Sequence, residues 1–243
     1  MDVTDAHRLL GPLPFDDVVS ATVEGLLAEL DRIAIRRAYV THTRSLFADP
    51  AGGNDTLFAQ LRGHERLYPV PVVIPGWVPS TVDTLAAWWA DGVRMVRLCP
   101  ARHRFDLGGP VAAQWLDALA GDGLAVAIDL DETAPAALRA LAVAHPTLAV
   151  LLVNPGYRRL RELAELLAAA PRLWVETGTL VTQHGVEWLA THGGAGRLVF
   201  GTGAPVLDDC GPRFQLDHLE LPRRTVAHIA AGALDELIAG SPR

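Results

Sequence analysis

Titratable and polar side chains recur near the ends of short apolar runs in this sequence. His7 ends the first run, Arg97 and Asp129 lie near the ends of two later runs, and Glu176 near the end of another. A histidine or carboxylate can act as a general base toward water, and an arginine can bind a carboxylate or stabilise an oxyanion. Whether these side chains form one site depends on the elements that carry them.

Eight short runs rich in Val, Ile and Leu have the composition of buried strands. We predict strands at 2–7, 37–42, 67–75, 93–100, 124–130, 148–154, 173–178 and 197–203. Each is followed by a turn and by a segment in which apolar residues recur every three or four positions, as in an amphipathic helix. The predicted helices are 15–33, 54–64, 81–91, 110–120, 134–144, 158–169, 186–192 and 223–238. Segments 43–53 and 204–221 are predicted to be irregular.

This alternation indicates the α/β class with a parallel sheet covered by helices. Eight repeats in 243 residues predict a single-domain (β/α)8 TIM barrel spanning residues 1–243, because such barrels usually have about 250 residues. An open doubly wound sheet is the alternative. Barrel enzymes carry their active sites at the C-terminal strand ends. The residues predicted to lie there are Asp5, His7, Thr41, His42, Arg44, Arg97, Cys99, Asp129, Asp131, Glu132, Asn154, Glu176, Thr177 and Thr202.

Composition narrows the class of partner. A formal net charge of −7 argues against nucleic acid and against an anionic membrane surface, because both bind clustered Lys and Arg. Two cysteines are too few for a disulfide framework, and the N-terminus shows no signal segment. No apolar run approaches the roughly 18 residues of a membrane helix. We therefore expect a cytoplasmic protein that binds a small molecule.

Several motifs occur in a characteristic order along the chain. They are "DAHRLLG" at the first predicted strand, "NPG" after the sixth, "LWVETG" at the seventh, "RLVFGTGAP" at the eighth and "HIAAGALDELI" near the C-terminus. Together they resemble the amidohydrolase-related (amidohydrolase 2) group of the amidohydrolase superfamily, and the resemblance runs through essentially the whole chain. It implies a (β/α)8 barrel that acts as a hydrolase or decarboxylase at one or two divalent metal ions.

The resemblance also implies metal ligands that this sequence largely lacks. The family's first-strand histidine pair falls on His7 and Leu9, the fifth-strand histidine on Asp129, the sixth-strand histidine on Asn154, and the eighth-strand aspartate on Gly203. Leu9 and Gly203 carry no donor atom, and an asparagine is a poor replacement for histidine. The family's eighth-strand aspartate also serves as general base, so Gly203 removes that function too. We therefore predict a degenerate site without a metal ion or other cofactor.

The first functional hypothesis is a metal-independent hydrolase or lyase, of lactonase or decarboxylase type, that acts on a small polar or carboxylated compound. The Gly-Pro after the first strand resembles a lactone-hydrolysing branch of the superfamily that works without metal. Arg44 and Arg97 would hold the substrate anion, and His7 or Asp129 would activate water. The predicted catalytic residues are His7, Asp129, Asn154 and Thr202, the last as an oxyanion donor, and the predicted substrate-binding residues are His42, Arg44, Arg97 and Glu176.

The second hypothesis is a pseudoenzyme, a barrel that binds a ligand or pairs with a catalytically complete amidohydrolase relative. It follows from the loss of ligand positions on separate strands while the barrel pattern is kept. A homo-oligomer is compatible with either hypothesis. Trp88, Trp89 and Leu180 are apolar residues that could serve such an interface.

Overall fold

The computed structural model describes residues 1–14, 16–76 and 81–239, and in it parallel strands alternate with helices. The strands are β1 (Thr4–Leu10), β2 (Arg37–His42), β3 (Leu67–Pro69), β4 (Val72–Val73), β5 (Met95–Leu98), β6 (Ala125–Asp129), β7 (Val150–Val153), β8 (Leu173–Glu176) and β9 (Leu198–Val199). The helices are α1 (Val23–Arg32), α2 (Thr43–Phe47), α3 (Pro50–Leu61), α4 (Thr81–Ala90), α5 (Pro110–Gly121), α6 (Pro135–Ala144), α7 (Leu160–Ala169), α8 (Gly185–Leu189), α9 (Cys210–Asp217), α10 (Arg223–Ala227) and α11 (Ala233–Ile238). None of these helices has the length and apolarity required to span a bilayer.

The strands form a closed barrel. Ladder pairing runs β1-β2-β3 and β4 through β9, and every pair is parallel. β3 and β4 are two halves of one barrel strand, because the Val70 N–H donates to Val40 on one side and Pro71 accepts from Arg97 on the other, at 2.8 and 2.9 Å. The ring closes where the Ala6 N–H donates to the Phe200 carbonyl at 3.0 Å. The structure confirms the predicted (β/α)8 barrel.

Alternation along the strands decides which side chains face the barrel axis. Met95, Leu151 and Trp174 belong to one apolar cluster, while their neighbours in sequence pack in the larger core between sheet and helices. Side chains two residues apart in a strand share a face. Arg97 follows Met95 by two positions and Glu176 follows Trp174 by two, so both lie on the inner face near the C-terminal ends.

Two segments predicted to be irregular contain helical residues, and the first of them holds α2 and the start of α3, whose remainder coincides with most of the predicted helix 54–64. α2 begins after His42, whose Nδ1 accepts the Arg44 N–H, and α3 begins after Asp49, whose side chain accepts the Gly52 N–H. Both are N-cap arrangements. α9 occupies part of the segment after β9. β1 begins and ends later than predicted, the predicted third strand is interrupted at residues 70–71, and the predicted first helix is shorter, with Phe15 outside the described residues.

The apolar residues expected at an interface lie in or against the core. Leu180 is buried, and Trp88 and Trp89 are partly buried and pack against the main hydrophobic cluster. The suggestion that these residues form an exposed interface is therefore wrong for Leu180. Its side chain is removed from solvent by the main cluster rather than by a partner.

Candidate active site

A cavity of about 470 Å³ opens at the C-terminal ends of the strands. Its volume falls within the range that holds small organic ligands, roughly 300–1,000 Å³. Both polar or charged and apolar side chains line it. The lining residues are His7, Leu9, Leu46, Phe47, Arg97, Cys99, Ala101, Arg102, Asp129, Asp131, Glu132, Asn154, Gly156, Thr179, Gly203, Val206 and Leu207.

His7 lies at the floor of this cavity between Glu176 and Arg97. Its Nδ1 is 3.1 Å from Glu176 Oε2, and its Nε2 contacts Arg97 Nη1. A guanidinium can only donate, and a carboxylate oxygen without a proton can only accept. The hydrogen-bond pattern therefore assigns the proton of a neutral His7 to Nδ1 and leaves the Nε2 lone pair directed at Arg97.

Glu176 is completely buried behind His7. Besides the contact with His7, its Oε2 accepts the Asn154 backbone N–H at 3.0 Å. A Cβ at Gly178 would lie 2.7 Å from Glu176 Oε1, and a Cβ at Gly201 would lie 2.8 Å from its Cγ. These two glycines therefore make room for the carboxylate inside the barrel.

Asp129 also lies at the floor of the cavity. Its Oδ2 accepts the Asn154 side-chain amide at 2.6 Å, and its Oδ1 accepts the Asp131 N–H at 2.9 Å. Arg97 Nη2 is 3.8 Å from Asp129 Oδ2. His7, Arg97, Asp129 and Asn154, all predicted from the sequence, thus meet at one place.

Thr202 lies beneath the cavity rather than in it. Its hydroxyl donates to Asp5 Oδ2 at 2.7 Å, its N–H donates to Asp5 Oδ1 at 3.1 Å, and both residues are fully buried. Burial raises the pKa of Asp5 above its ordinary value, although Arg8 and the Thr202 hydroxyl oppose the rise. The Thr202 hydroxyl proton is committed to Asp5 and points away from the cavity.

Arg8 joins the first strand to the loop after β9. The side chain is fully buried and donates to Asp209 at 2.9 Å and to Glu29 at 3.2 Å. Burial works against ionisation of Asp209, but hydrogen bonds from Arg32 and Arg8 hold the pKa of this carboxyl below its ordinary value. Sequence reasoning missed Arg8 and Asp209. The one available signal was an arginine inside an otherwise apolar strand, since a buried charge requires a partner.

His42 and Arg44 line a neighbouring cavity of about 340 Å³ with Pro12, Leu13 and Phe47. Burial, assisted by the nearby Arg44 charge, lowers the pKa of His42. The Arg44 guanidinium pairs with Asp49 at 2.8 Å. Only Phe47 belongs to both cavities, so the structure separates His42 and Arg44 from the four residues at the floor of the main cavity.

The rim of the main cavity carries the charges of Arg102 and Glu132. The Arg102 N–H donates to Glu132 Oε2 at 2.7 Å, and the Arg102 guanidinium remains about half exposed. Cys99 lies on the wall near Arg97. Burial raises the pKa of the Cys99 thiol, so this group is a thiol at neutral pH and a poor nucleophile.

The metal-ligand positions implied by the resemblance supply too few donors for a tight divalent site in the part of the chain that the structure describes. Leu9 and Gly203 have none, His7 Nε2 faces Arg97, and Asp129 Oδ2 is bonded to Asn154. Gly203 has φ +71°, and a Cβ there would lie 3.4 Å from His7 Cε1. A side chain at this position would therefore meet Leu207, Asn154 and His7.

Within the described ranges, the set of His, Cys, Asp or Glu side chains with ligand atoms close enough for one ion is Asp208, Asp209 and Cys210 on the outer loop. Asp209 and Cys210 both accept hydrogen bonds from Arg32 there. This cluster lies outside the cavity, and the Arg32 guanidinium already pairs with two of its members.

Comparisons with known proteins agree with this architecture. The amidohydrolase family model (Amidohydro_2) matches residues 1–237. No curated protein gives a significant match.

Solved structures give the same fold at low identity. An amidohydrolase from Burkholderia multivorans has a TM-score of 0.80 at 13% identity, covering 99% of this chain and 100% of its own. A putative 2-pyrone-4,6-dicarboxylic acid hydrolase from Pseudomonas putida has a TM-score of 0.75 at 18% identity, with coverages of 100% and 99%. The 5-carboxyvanillate decarboxylase from Sphingomonas paucimobilis has a TM-score of 0.74 at 11% identity, with 99% of each chain covered. At these identities the likeness shows the fold, and the family follows from the model that matches almost the whole chain. The protein is a member of the amidohydrolase family.

Proposed function

We propose that the protein is a metal-independent hydrolase that opens a small carboxylated lactone in the cavity at the C-terminal face of the barrel. The observation that carries the proposal is the convergence of Asp129, Arg97 and His7 on the cavity floor. A carboxylate beside a fixed guanidinium offers a base for water and a positive charge for the developing oxyanion.

Asp129 is the better candidate for the general base. The His7 Nε2 lone pair is directed at Arg97, whereas the Asp129 side chain remains about one-fifth exposed at the cavity. Asn154 and the Asp131 N–H fix the orientation of the carboxylate. Asp129 would therefore accept the proton from water while His7 positions Arg97.

The proposed reaction is a hydrolysis in two steps. The water oxygen bonds to the lactone carbonyl carbon as its proton passes to Asp129, and the carbonyl oxygen takes the negative charge beside Arg97. The ring C–O bond then breaks, and the leaving alkoxide takes the proton from Asp129. The product is a hydroxy acid, and the carboxylate returns to its starting state. No oxidant, reductant or cofactor enters the balance.

The substrate class is supported by the rim and by two structural relatives. The half-exposed Arg102 guanidinium can bind a substrate carboxylate at the cavity mouth. The hydrolase from Pseudomonas putida and the decarboxylase from Sphingomonas paucimobilis are both named for carboxylated ring compounds. We extend that chemistry to this chain as a proposal, with Arg102 in the anion-binding position expected for Arg44.

A panel of carboxylated lactones, esters and aromatic acids tests the proposal. Turnover is expected for a lactone, and Asp129→Asn should lower kcat by about 10²–10⁴-fold, the usual contribution of a general base. Asp117→Asn is a matched control, because Asp117 pairs with His145 on the outer helices. Loss of turnover in both variants, or equal activity of Asp129→Asn and the unmodified protein, would contradict the assignment.

The second candidate function is that of a pseudoenzyme, and one observation favours it. Several charged groups of the cavity pair with each other, as in Arg97 with Asp129 and Arg102 with Glu132. In that case no compound of the panel is turned over, and the protein instead forms a stable complex with a ligand or with a complete amidohydrolase. Analytical ultracentrifugation with and without such a relative separates this outcome from a homo-oligomer.

A further inference from the structure

The guanidinium of Arg97 occupies an unusual place in the barrel. It is almost completely buried on the inner face of β5, where it contacts His7 Nε2 and lies 3.8 Å from Asp129 Oδ2. These two residues come from strands on different parts of the ring. Among the ligand positions that the family resemblance implies, His7 keeps the family's residue and Asp129 carries a carboxylate in place of a histidine.

We propose that Arg97 is a built-in cation that takes the place of the divalent metal ion at the barrel mouth. This inference rests on the proposed function for its catalytic role, which is to hold a permanent positive charge beside the substrate carbonyl. A guanidinium remains protonated in proteins at all ordinary pH values. Its planar donors can engage a ring nitrogen and a carboxylate oxygen at the same time.

The surroundings of His7 support this assignment. A histidine that binds a metal usually donates its other ring N–H to a carboxylate, which fixes the tautomer and makes the ligand nitrogen more basic. His7 has this arrangement with Glu176, but its free nitrogen faces Arg97 instead of an ion. The Glu176 contact, which would orient His7 as a metal ligand, therefore orients His7 toward the Arg97 guanidinium.

The buried guanidinium also explains why an ion would be disfavoured here. It engages the His7 lone pair, and it places a like charge next to any cation that approaches Asp129. Removing the Arg97 side chain frees the His7 lone pair and removes the like charge beside Asp129. A two-donor site with water as the remaining ligands should then bind zinc weakly but measurably.

Titration calorimetry with zinc chloride tests the proposal. We expect zinc to bind Arg97→Ala at least about tenfold more tightly than it binds the unmodified protein. The Arg97→Ala, His7→Ala double variant should lose that gain. Arg102→Ala is the control for zinc binding, because Arg102 lies on the same cavity without contacting His7, and this variant should bind zinc no more tightly than the unmodified protein. Tight zinc binding at His7 in the unmodified protein, or no gain in Arg97→Ala, would overturn the proposal.

A second measurement needs no variant and covers the case in which Arg97→Ala does not fold. Nitrogen-15 chemical shifts of His7 in the intact protein should show a protonated Nδ1 and an unprotonated Nε2 that accepts a hydrogen bond. The opposite tautomer would overturn the proposal. Both measurements are independent of the substrate, so failure of the lactone panel refutes the proposed hydrolase and leaves the assignment of Arg97 standing.

Discussion

Replacing Glu176 with alanine should destabilise the barrel severely. The carboxylate is fully buried, and its Oε2 accepts from His7 Nδ1 at 3.1 Å and from the Asn154 N–H at 3.0 Å. Hydrogen bonds to a charged group are worth about 1.5–3 kcal/mol each, and alanine leaves both donors buried without an acceptor. We therefore expect the free energy of unfolding to fall by about 3–6 kcal/mol, a large part of the ~5–15 kcal/mol that stabilises a typical domain.

Equilibrium urea unfolding followed by tryptophan fluorescence and far-UV circular dichroism measures this loss as a shift in midpoint at unchanged slope. Glu176→Gln keeps an oxygen that can accept from one or both donors, so its loss should be smaller, about 1–2 kcal/mol. Glu162→Ala is the control, because Glu162 forms a partly exposed pair with Arg159 on α7. Such a pair contributes at most about 1 kcal/mol.

The reasoning is refuted if Glu176→Ala unfolds at the same urea concentration as Glu162→Ala. It is also refuted if Glu176→Gln is less stable than Glu176→Ala, because the argument depends on a lost acceptor for two fixed donors. A His7 that keeps its Nδ1 proton signal unchanged in Glu176→Ala would likewise contradict the role of Glu176 in setting the tautomer.

Two other predictions concern the loop after β9. Asp209→Asn should lower the free energy of unfolding by about 1.5–3 kcal/mol at neutral pH, because the carboxylate accepts from Arg8 and Arg32. The pKa of Asp209 is lowered in the folded state, so this contribution is present above about pH 4 and is lost as the pH falls through the folded-state pKa. The urea midpoints of Asp209→Asn and the unmodified protein should therefore converge in acid. A difference between the midpoints that stays constant with pH would contradict the pairing. Gly203→Asp should cost about 1–2 kcal/mol, since φ is +71° and a Cβ would lie 2.9 Å from Leu207 Cδ1. Gly203→Ala has the same backbone strain and should unfold at a similar urea concentration. Elemental analysis should find no stoichiometric zinc in Gly203→Asp. Bound zinc in Gly203→Asp would contradict the proposal that Arg97 excludes a metal ion.

The barrel could be predicted from the sequence because its determinants are local. Runs of Val, Ile and Leu alternating with amphipathic segments repeat eight times, and the bounds predicted for β2 are those of the structure. The four residues at the cavity floor could be predicted for the same reason, since parallel strands place their C-terminal ends at one face.

The helix α2 and the first four residues of α3 were missed, because a helix was predicted only from residue 54, although one signal was present. Asp49 followed by Pro50 is an N-cap residue followed by a proline at the first helical position. The two glycines that follow concealed it, because glycine is a poor helix former. α9 was missed for a similar reason, because Gly211 and Pro212 near its start are poor helix formers.

The pairing of side chains could not be predicted from the sequence. Arg8 and Asp209 are 201 positions apart, and His7 and Glu176 are 169 apart. Strand alternation places a residue on a face but does not reveal its hydrogen-bond partner. For this reason the sequence left His7 and Asp129 as alternative bases, whereas the contact between His7 and Arg97 favours Asp129.

The central claim is that this amidohydrolase fold supports hydrolysis with Arg97 rather than a metal ion as its cation. The most direct test is kcat/KM for the best lactone of the panel, measured on protein stripped with a chelator and again after addition of zinc. The account predicts values that agree within about twofold in the two states and that fall together in Asp129→Asn. Activity that disappears on chelation and returns with zinc would contradict it.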